Sequence, residues 1–361
     1  MFSFGNNIKL MLFGESHSEA IGFVLDGFPS GIAVDEGGLQ KFLARRAPGQ
    51  NECTSARKEP DRVEFVSGIF RGVTTGAPIC GIIRNKDAVS SDYDPIKDIP
   101  RPSHADYTAF LRFGNAHDFR GGGEFSGRLT APLCAAGYLC GLLLEKKGIF
   151  VGAHLASVGD VFDAEFDPMQ VGKKEFAQVA AKAFPVLDDQ KGDAMQALIR
   201  SVKEEKDSVG GCVECAVVGL PAGCGGTAFD SLESRLSQAF FAVPGVKGVE
   251  FGSGFAGCAR KGSENNDGYR MKDGKIALES NHAGGILGGL STGAPVICKV
   301  GFKPTPSIGK EQHSVSLSEK KNVLLSVPGR HDPCIAVRAV PVVEAAAAVV
   351  IADLLSLSGG F

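Results

Sequence analysis

Apolar and polar positions run along the chain in two series of elements that share the same order. In each series an apolar strand ends at a Gly-x-Pro-x-Gly turn, at residues 27–31 and again at residues 219–223. An amphipathic helix follows each turn, over residues 36–46 and over residues 231–241, and ends shortly before a Pro-Gly pair. Apolar residues at steps of three and four predict the helices, and the glycine and proline turns predict where the strands stop.

Two more pairs of segments extend this repetition. Residues 63–68 (VEFVSG) resemble residues 249–254 (VEFGSG), and residues 75–80 (TGAPIC) resemble residues 292–298 (TGAPVIC). Turns rich in glycine and proline are common, so each match alone has an ordinary explanation. Several matches in the same order favour two similar halves that arose by internal duplication.

Two longer apolar helices complete the pattern. In the first, over residues 126–146, the apolar positions at steps of three and four are Leu129, Leu133, Ala136, Cys140 and Leu143. The second is predicted to begin at Pro341, because the first helical position needs no backbone N–H. It is apolar on nearly every side as far as Leu354, so other elements have to cover it.

These elements predict an α+β fold, a β-α-β sandwich in which helices lie between two largely antiparallel sheets. We expect a single domain over residues 1–361, with internal halves at about 1–147 and 208–361. Residues 148–207 carry amphipathic helices with acidic and basic faces, and we expect this region to be peripheral.

Composition narrows the class of protein. The 38 basic and 41 acidic side chains give a net charge of −3, which argues against a generally basic binder of nucleic acids or membrane surfaces. The most apolar run, residues 340–355, contains Glu344 and Asp353 and is shorter than the roughly 20 residues of a membrane-spanning helix. Residues 1–9 lack the features of a secretory signal. We therefore expect a cytoplasmic protein whose ten cysteines are reduced thiols.

Glycine is the unusual component, at 48 of 361 residues. Glycine, histidine and arginine are concentrated, in different combinations, in four segments at residues 13–22, 101–107, 120–128 and 329–334. A glycine-rich turn that enters a helix presents backbone N–H groups to an anion, and flanking arginines add planar charged groups. Residues 120–128 fit neither the phosphate-loop pattern nor the dinucleotide-binding pattern. They predict an anion site without identifying the anion.

The histidines of these segments are candidates for proton transfer, because an imidazole titrates near neutral pH. The candidates are His17, His104 and His331. Zinc binding by His17, His104 and His282 lacks the usual helical spacing of the ligands, so we expect no metal. A Ser-His-Asp hydrolase is also disfavoured, because the sequence contains no nucleophile-elbow motif.

Three segments together resemble the signature blocks of chorismate synthases. They are GESH at residues 14–17, RGGG followed by SGR at residues 120–128, and RHDP at residues 330–333. Further blocks are also similar to the family, including RPSHADY at residues 101–107 and NHAGGILGG at residues 281–289. The resemblance continues in order along nearly the whole chain.

The resemblance implies an enzyme of the shikimate pathway, which leads to the aromatic amino acids. Chorismate synthases are carbon–oxygen lyases that convert 5-enolpyruvylshikimate 3-phosphate to chorismate and phosphate by a 1,4-anti elimination, the last common step of that pathway. The family requires reduced FMN (FMNH2) although the reaction has no net redox change, and it usually forms homotetramers. No nicotinamide-binding fingerprint is visible in the sequence, so we expect an external source to reduce the flavin.

By the same resemblance, three residues are catalytic. His17 protonates the departing phosphate, His104 protonates the reduced flavin, and Asp332 receives the proton from flavin N5. The expected substrate-binding residues are all arginines: Arg45, Arg46, Arg120, Arg128 and Arg338. The expected FMN-binding residues are Glu124, Phe125, Ser126, Pro244, Gly245, Gly288, Lys303, Pro304, Thr305, Pro306, Ser307 and Arg330.

The sequence departs from the family at several positions. Ser18 and Ser103 stand where glycine is usual, and Glu124 replaces an arginine. Glu52 occupies a position where a second substrate-side arginine is frequent. The competing interpretation is a flavin-binding or anion-binding protein of the same fold that has lost catalysis. The presence of both histidines, Asp332 and the main arginines argues against that interpretation.

Overall fold

The secondary structure combines short antiparallel strands with helices of very unequal length, described over residues 2–49, 61–85, 97–327 and 331–357 of a computed structural model. In chain order the strands are β1 (Ser3–Phe4), β2 (Lys9–Gly14), β3 (Ala20–Asp26), β4 (Val63–Ser67), β5 (Ile69–Phe70), β6 (Val73–Thr74), β7 (Ile79–Arg84), β8 (Phe150–Val158), β9 (Val161–Phe162), β10 (Gly211–Val218), β11 (Val246–Phe251), β12 (Tyr269–Lys272), β13 (Lys275–Leu278), β14 (Ile286–Leu287), β15 (Leu290–Ser291), β16 (Val296–Phe302), β17 (Gln312–Ser316) and β18 (Lys321–Leu325). The α-helices are α1 (Glu36–Arg46), α2 (Asp106–Phe113), α3 (Thr130–Glu145), α4 (Lys173–Ala180), α5 (Asp189–Glu204), α6 (Leu232–Phe241), α7 (Gly254–Gly257), α8 (Gly262–Asn265) and α9 (Ala336–Leu357).

Two five-stranded sheets repeat one topology. The first has the order β1-β2-β3-β7-β4 and the second has the order β9-β8-β10-β16-β11, with antiparallel neighbours throughout. Segments that resemble each other in sequence form equivalent strands. The strands β3 and β10 precede the Gly-x-Pro-x-Gly turns, β4 and β11 carry the VEF motifs, and β7 and β16 follow the Gly-Ala-Pro turns. The predicted α+β sandwich with two similar halves is therefore confirmed.

The helices α3 and α9 pack against each other between the two sheets. The helix α3 contacts β3 and β7 of the first sheet, α9 contacts β8 and β10 of the second, and α1 and α6 flank α9. The contact between the two central helices is close at Gly137, because a Cβ built there would lie 2.4 Å from the Cα of Ala345. Residues 127–145 and 336–356 are long and apolar enough to cross a membrane, but 78% and 94% of their most apolar windows are buried inside the protein. They are the core helices of the sandwich.

Both core helices begin at different residues from those predicted. The helix α3 begins four residues later, because residues 120–129 form tight turns that contain glycines with left-handed φ angles. The helix α9 begins five residues earlier, so the prediction that Pro341 opens it is wrong. The carbonyl of Ile335 accepts hydrogen bonds from the N–H groups of Arg338 and Ala339, which starts the helix upstream of the proline. Pro341 then lies in the second turn, where it removes one backbone hydrogen bond.

Residues 148–207 are only partly peripheral, which differs from the expectation. The strand β8 lies inside the second sheet, between β9 and β10. It is buried over most of its length, because α9 contacts it as well as α4. The helices α4 and α5 are the outer elements of this region.

Candidate active site

A cavity of about 750 Å³ opens where the first turns of α3 and α9 meet the ends of α1 and α6. All four segments rich in glycine, histidine and arginine contribute to its lining. The predicted site residues that line it are His17, Arg46, His104, Glu124, Phe125, Ser126, Arg128, Pro244, Gly245, Lys303, Thr305, Pro306, Ser307, Asp332 and Arg338. Residues distant in the sequence thus meet near the N-terminal ends of two long helices, where the helix dipoles favour an anion.

Three consecutive glycines lie against two of the histidines. The φ angles of Gly121, Gly122 and Gly123 are 62°, 104° and 51°, a left-handed conformation that residues with side chains rarely adopt. A Cβ at Gly121 would lie 2.3 Å from Cε1 of His17. A Cβ at Gly122 would lie 3.2 Å from Nε2 of His104. The glycines therefore allow the backbone to approach both imidazole rings.

His17 lies in a polar turn that is tied to the glycine run. Its Nδ1 is 3.2 Å from the hydroxyl of Ser16, and the backbone N–H of Ser16 donates to the carbonyl of Gly123. Ser18 lies outside the left-handed φ region, and its hydroxyl accepts a hydrogen bond from the N–H of Glu15 at 3.0 Å. The turn thus tolerates the Cβ of Ser18 where the family usually has glycine.

Acidic side chains surround Arg120 near His17. Arg120 donates from Nε and Nη2 to the two carboxylate oxygens of Asp118, at 2.8 Å each, and these bonds lower the pKa of Asp118. Burial raises the pKa of Glu15, and the negative charges of Asp118 and Glu124 add to that effect. Arg120 does not line the cavity, so the contact with substrate expected of it stays a prediction.

His104 is held by a carboxylate and an arginine. Its Nδ1 lies 2.6 Å from Oδ1 of Asp106, and Arg101 donates to both carboxylate oxygens of Asp106 at 2.8 Å. Burial lowers the pKa of His104, and the hydrogen bond to Asp106 opposes that effect. Ser103 has a φ of 59°, so its departure from glycine places a side chain in the left-handed region. The Nζ of Lys303 donates to the carbonyl of Ser103.

Two of the predicted substrate-binding arginines converge on one carboxylate. Arg46 and Arg128 each donate to a different oxygen of Asp61, whose side chain is fully buried. Burial alone would raise the pKa of Asp61, but the two guanidinium groups hold it below its usual range. Asn85 accepts from Nε of Arg128 at 3.0 Å and completes the cluster. Glu52 lies outside the described residues.

Asp332 and Arg338 form an ion pair at the start of α9. The hydroxyl of Thr305 donates to the backbone carbonyl of Asp332 at 2.8 Å. The Nε of Arg338 donates to the backbone carbonyl of Arg46, also at 2.8 Å. Burial lowers the pKa of Arg338, and the carboxylate of Asp332 opposes that effect. One predicted catalytic residue and one predicted substrate-binding residue therefore hold each other in place.

Some of the predicted site residues lie elsewhere. Arg45 forms an ion pair with Glu344 of α9, with N–O distances of 2.6 and 2.7 Å, and does not line the cavity. Gly288 lies in the turn between β14 and β15, and Pro304 also lies outside the lining. Arg330 falls outside the described residues. The binding roles expected of these four residues stay predictions.

The residues that hold the predicted site residues in place were not themselves predicted from the sequence. Asp61 ends the RKEPD segment at residues 57–61, which resembles the family, but no local pattern placed it beside Arg46 and Arg128, because these partners are 15 and 67 residues away. Arg101 and Asp106 belong to the RPSHADY block, and their spacing around the histidine was the available signal. His282, which was considered as a zinc ligand, lies outside the cavity lining, and its Nδ1 is 3.1 Å from the carbonyl of Asn265.

This site concentrates positive charge in a chain whose net charge is −3. Three histidines, His17, His104 and His331, line the cavity together with Asp332. The cationic side chains in the same lining include Arg46, Arg101, Arg128, Lys303 and Arg338. Such a site binds a ligand with several negative charges and can move protons to or from it. On a β-α-β sandwich, such a site is typical of an enzyme that acts on a small polyanionic substrate.

Comparisons with known proteins identify the family. A profile of the chorismate synthase family matches residues 8–356. The chain is 45% identical to a chorismate synthase of Korarchaeum cryptofilum over 350 residues, which cover 97% of this chain and 96% of the relative. It is 44% identical to a chorismate synthase of Methanosarcina barkeri over 356 residues, which cover 99% and 96% of the two chains. The chain therefore belongs to the chorismate synthase family, and it is an enzyme of the shikimate pathway.

A solved structure supports the fold independently. A crystal structure of chorismate synthase matches with a TM-score of 0.76 at 24% sequence identity, over 99% of this chain and 94% of the other. At that level of identity the match shows the fold alone. The family membership predicted from the signature blocks and the predicted fold class are both confirmed.

Proposed function

We propose that this chain converts 5-enolpyruvylshikimate 3-phosphate to chorismate and phosphate with the help of bound reduced FMN. The observation that carries the proposal is the position of His17 and His104 against consecutive glycines, in a cavity lined by arginines. Relatives that are named chorismate synthase, at 42% to 45% identity, support the same reaction. The reaction is a 1,4-anti elimination, so the enzyme is a carbon–oxygen lyase.

The phosphate and the two carboxylates of this substrate need cationic partners. Arg46 and Arg128 are 4% and 8% exposed, and Arg338 is half-buried beside them. A buried guanidinium offers several N–H donors in one plane, which suits carboxylate and phosphate oxygens. The N-terminal ends of α3 and α9 add partial positive charge. These groups form the substrate-binding surface that we propose.

A second group of lining residues suits FMN. Lys303 and Ser307 offer a cation and a hydroxyl to phosphate or ring oxygens, and Phe125 offers an aromatic face. Gly245 has a φ of 92° and exposes backbone without a side chain. A cavity of this size lies within the range of about 300–1,000 Å³ that is typical of small-molecule sites. When bound, reduced FMN would supply electron density to the substrate as phosphate leaves.

Three side chains hold or move protons in the proposed reaction. His17 donates a proton to the departing phosphate, which converts a poor leaving group into a better one. His104 holds a proton on the ring nitrogen that faces Gly122 and makes it available for the reduced cofactor. Asp332, which is paired with Arg338, accepts a proton at the start of α9.

We further propose that the enzyme is a cytoplasmic homotetramer whose flavin is reduced by an external source. Apolar side chains on the hairpin β12–β13 support an interface with another copy, since Tyr269, Met271 and Ile276 are 64%, 70% and 73% exposed. Exposed apolar groups in one place are typical of a protein contact.

An anaerobic assay for chorismate tests the proposal. We expect turnover of 5-enolpyruvylshikimate 3-phosphate with reduced FMN and none with oxidised FMN or without flavin. Turnover sustained by NADPH and FMN without a separate reductase would contradict external reduction. Tight binding of FMN without any chorismate would instead support the binding protein that has lost catalysis.

A further inference from the structure

Asp106 and Arg101 contact the Nδ1 side of His104, and neither has a role in the function proposed above. We infer that these two residues are positioning residues, which fix the tautomer and the protonation of His104 so that its Nε2 carries the transferable proton. The inference rests on the proposed function, because it assigns His104 as a proton donor.

Arg101 and Asp106 form a rigid ion pair on the Nδ1 side of His104. Asp106, the first residue of α2, accepts three hydrogen bonds from Arg101: from the backbone N–H at 2.9 Å, and from Nε and Nη2 at 2.8 Å each. Arg101 is 5% exposed, and its Nη1 is also 3.3 Å from the hydroxyl of Ser307. A carboxylate bound in this way by one guanidinium cannot rotate, so its position relative to the imidazole is set.

The contact distances assign the proton on Nδ1. The Nδ1 of His104 is 2.6 Å from the carboxylate of Asp106 and 3.2 Å from Nη2 of Arg101. An ionised carboxylate only accepts hydrogen bonds and a guanidinium only donates them, so Nδ1 can serve one of these neighbours. The shorter contact requires Nδ1–H to donate to Asp106, and Nη2 directs its hydrogen to Asp106 as well. The Nε2 atom then remains for chemistry on the side of Gly122.

The charged groups around His104 have opposite effects on its pKa. Asp106 on α2 favours the charged imidazolium, whereas burial, Arg101 and Lys303 favour the neutral ring. Among these groups in the described part of the chain, Asp106 is the one that retains a proton on the ring. Removal of its charge with little change of shape should therefore lower the pKa of His104 further and reduce the imidazolium fraction at neutral pH.

The substitution Asp106→Asn tests this inference through the pH dependence of kcat. The active form is the imidazolium, so the rate falls as pH rises through the pKa of His104. With the opposite charge removed, we expect that falling limb to move down by about one to three pH units. At neutral pH kcat should fall by about tenfold or more, and the loss should shrink as the pH is lowered. The KM for the substrate should change much less than kcat.

Two companion variants separate positioning from a loss of fold. Asp106→Glu keeps the charge and should restore part of the falling limb. Asp163→Asn removes a carboxylate that pairs with a different histidine, His154, outside the cavity. It should lower the thermal midpoint while the pH profile of kcat stays that of the parent protein. A loss in Asp106→Asn that is equal at every pH would overturn the inference.

A second readout does not depend on turnover. NMR titration of the His104 ring in the ligand-free protein, assigned with His104→Gln, should show a lower midpoint in Asp106→Asn than in the parent protein. An unchanged midpoint would overturn the inference even in an active enzyme. If the parent protein made no chorismate, the proposed function would fail, and the titration would still decide whether Asp106 sets the protonation of His104.

Discussion

The backbone adopts the left-handed conformation beside each of the two histidines proposed to be catalytic, at a glycine in one case and at a serine in the other. Gly121 adopts a φ of 62° against His17, and Ser103 adopts a φ of 59° next to His104. The left-handed region costs a residue with a Cβ about 1–2 kcal/mol. The chain therefore avoids this cost beside His17 and accepts it beside His104.

Gly121→Ala should damage catalysis more than stability. Its Cβ would lie 2.3 Å from Cε1 and 2.5 Å from Nδ1 of His17, so the ring has to move. We expect kcat to fall by about tenfold or more, the contribution of a well-placed proton donor. The matched control is Gly72→Ala, which has a φ of 74° but open space around the new Cβ. Equal kcat values in the two variants, measured under saturating substrate, would show that Gly121 does not place His17.

Ser103→Gly should stabilise the protein without a change in activity. Relief of the left-handed φ gains about 1–2 kcal/mol, and the added freedom of glycine in the unfolded chain costs about 0.5–1 kcal/mol. The net gain in the free energy of unfolding should be about 0.5–1 kcal/mol in urea denaturation. A loss of stability would mean that the Ser103 side chain makes a contribution that its φ angle does not reveal.

Ion pairs between elements also explain why two neighbouring residues predicted for the same site have different surroundings. Arg45 and Arg46 are neighbours on α1, yet Arg46 lines the cavity whereas Arg45 pairs with Glu344 on α9. Successive residues of a helix point about 100° apart, so a pair of arginines faces two different surroundings. The partner of Arg45 is 299 residues away, and no local pattern reports such a distant contact. The same limit applies to Asp61, which was found only when the fold brought it to Arg46.

A double-mutant cycle on Arg45 and Glu344 tests the structural role of this pair. Arg45→Met or Glu344→Gln alone leaves the other charge poorly compensated, and we expect each to lower the free energy of unfolding by about 3–5 kcal/mol. The double variant should be more stable than the sum of the two losses predicts. Urea denaturation measures stability, and the KM for the substrate is measured alongside. Full stability with weakened substrate binding in Arg45→Met would instead support the predicted role of Arg45 in substrate binding.

Stability of the whole molecule is coupled to pH through a buried histidine in the second sheet. His154 of β8 lies between Asp163 and Glu214, with N–O distances of 2.9 and 2.8 Å. Burial alone would lower the pKa of His154, but the hydrogen bonds to the two carboxylates raise it above its ordinary value. Asp163 also accepts from the N–H groups of Leu187 and Asp188, so the cluster joins the sheet to the segment that leads into α5.

The raised pKa of His154 has a defined consequence for stability. Its contribution is fully present below the unfolded pKa of about 6.5 and is lost as the pH rises through the higher folded pKa. We expect the free energy of unfolding to decline over that range in urea denaturation. His154→Gln should lower stability most at about pH 6 and flatten the decline. A parallel decline in the variant and the parent protein would assign the pH dependence to other groups.

Much of the whole fold could be predicted because its periodicities are local and repeated. The two series of strands, turns and helices gave the sandwich, and the signature blocks gave His17, His104 and Asp332, which meet at one cavity. The start of α9 was mispredicted because helix propensity near Pro341 was outweighed by hydrogen bonding to Ile335. The position of β8 depends on pairing with β10, a non-local contact without a sequence signal.

Because α3 and α9 are in close contact at Gly137, this residue sets the distance between the two helices. Both helices carry cavity residues in their first turns, and Gly137 lies about 10 Å along α3 from its start. An extra methyl group there would meet the backbone of Ala345 and push the helices apart. A shift of about 1 Å in the first turns of the two helices, where the cavity residues lie, is enough to misalign reacting groups. The width of the cavity therefore depends on Gly137, a residue that does not itself line the cavity.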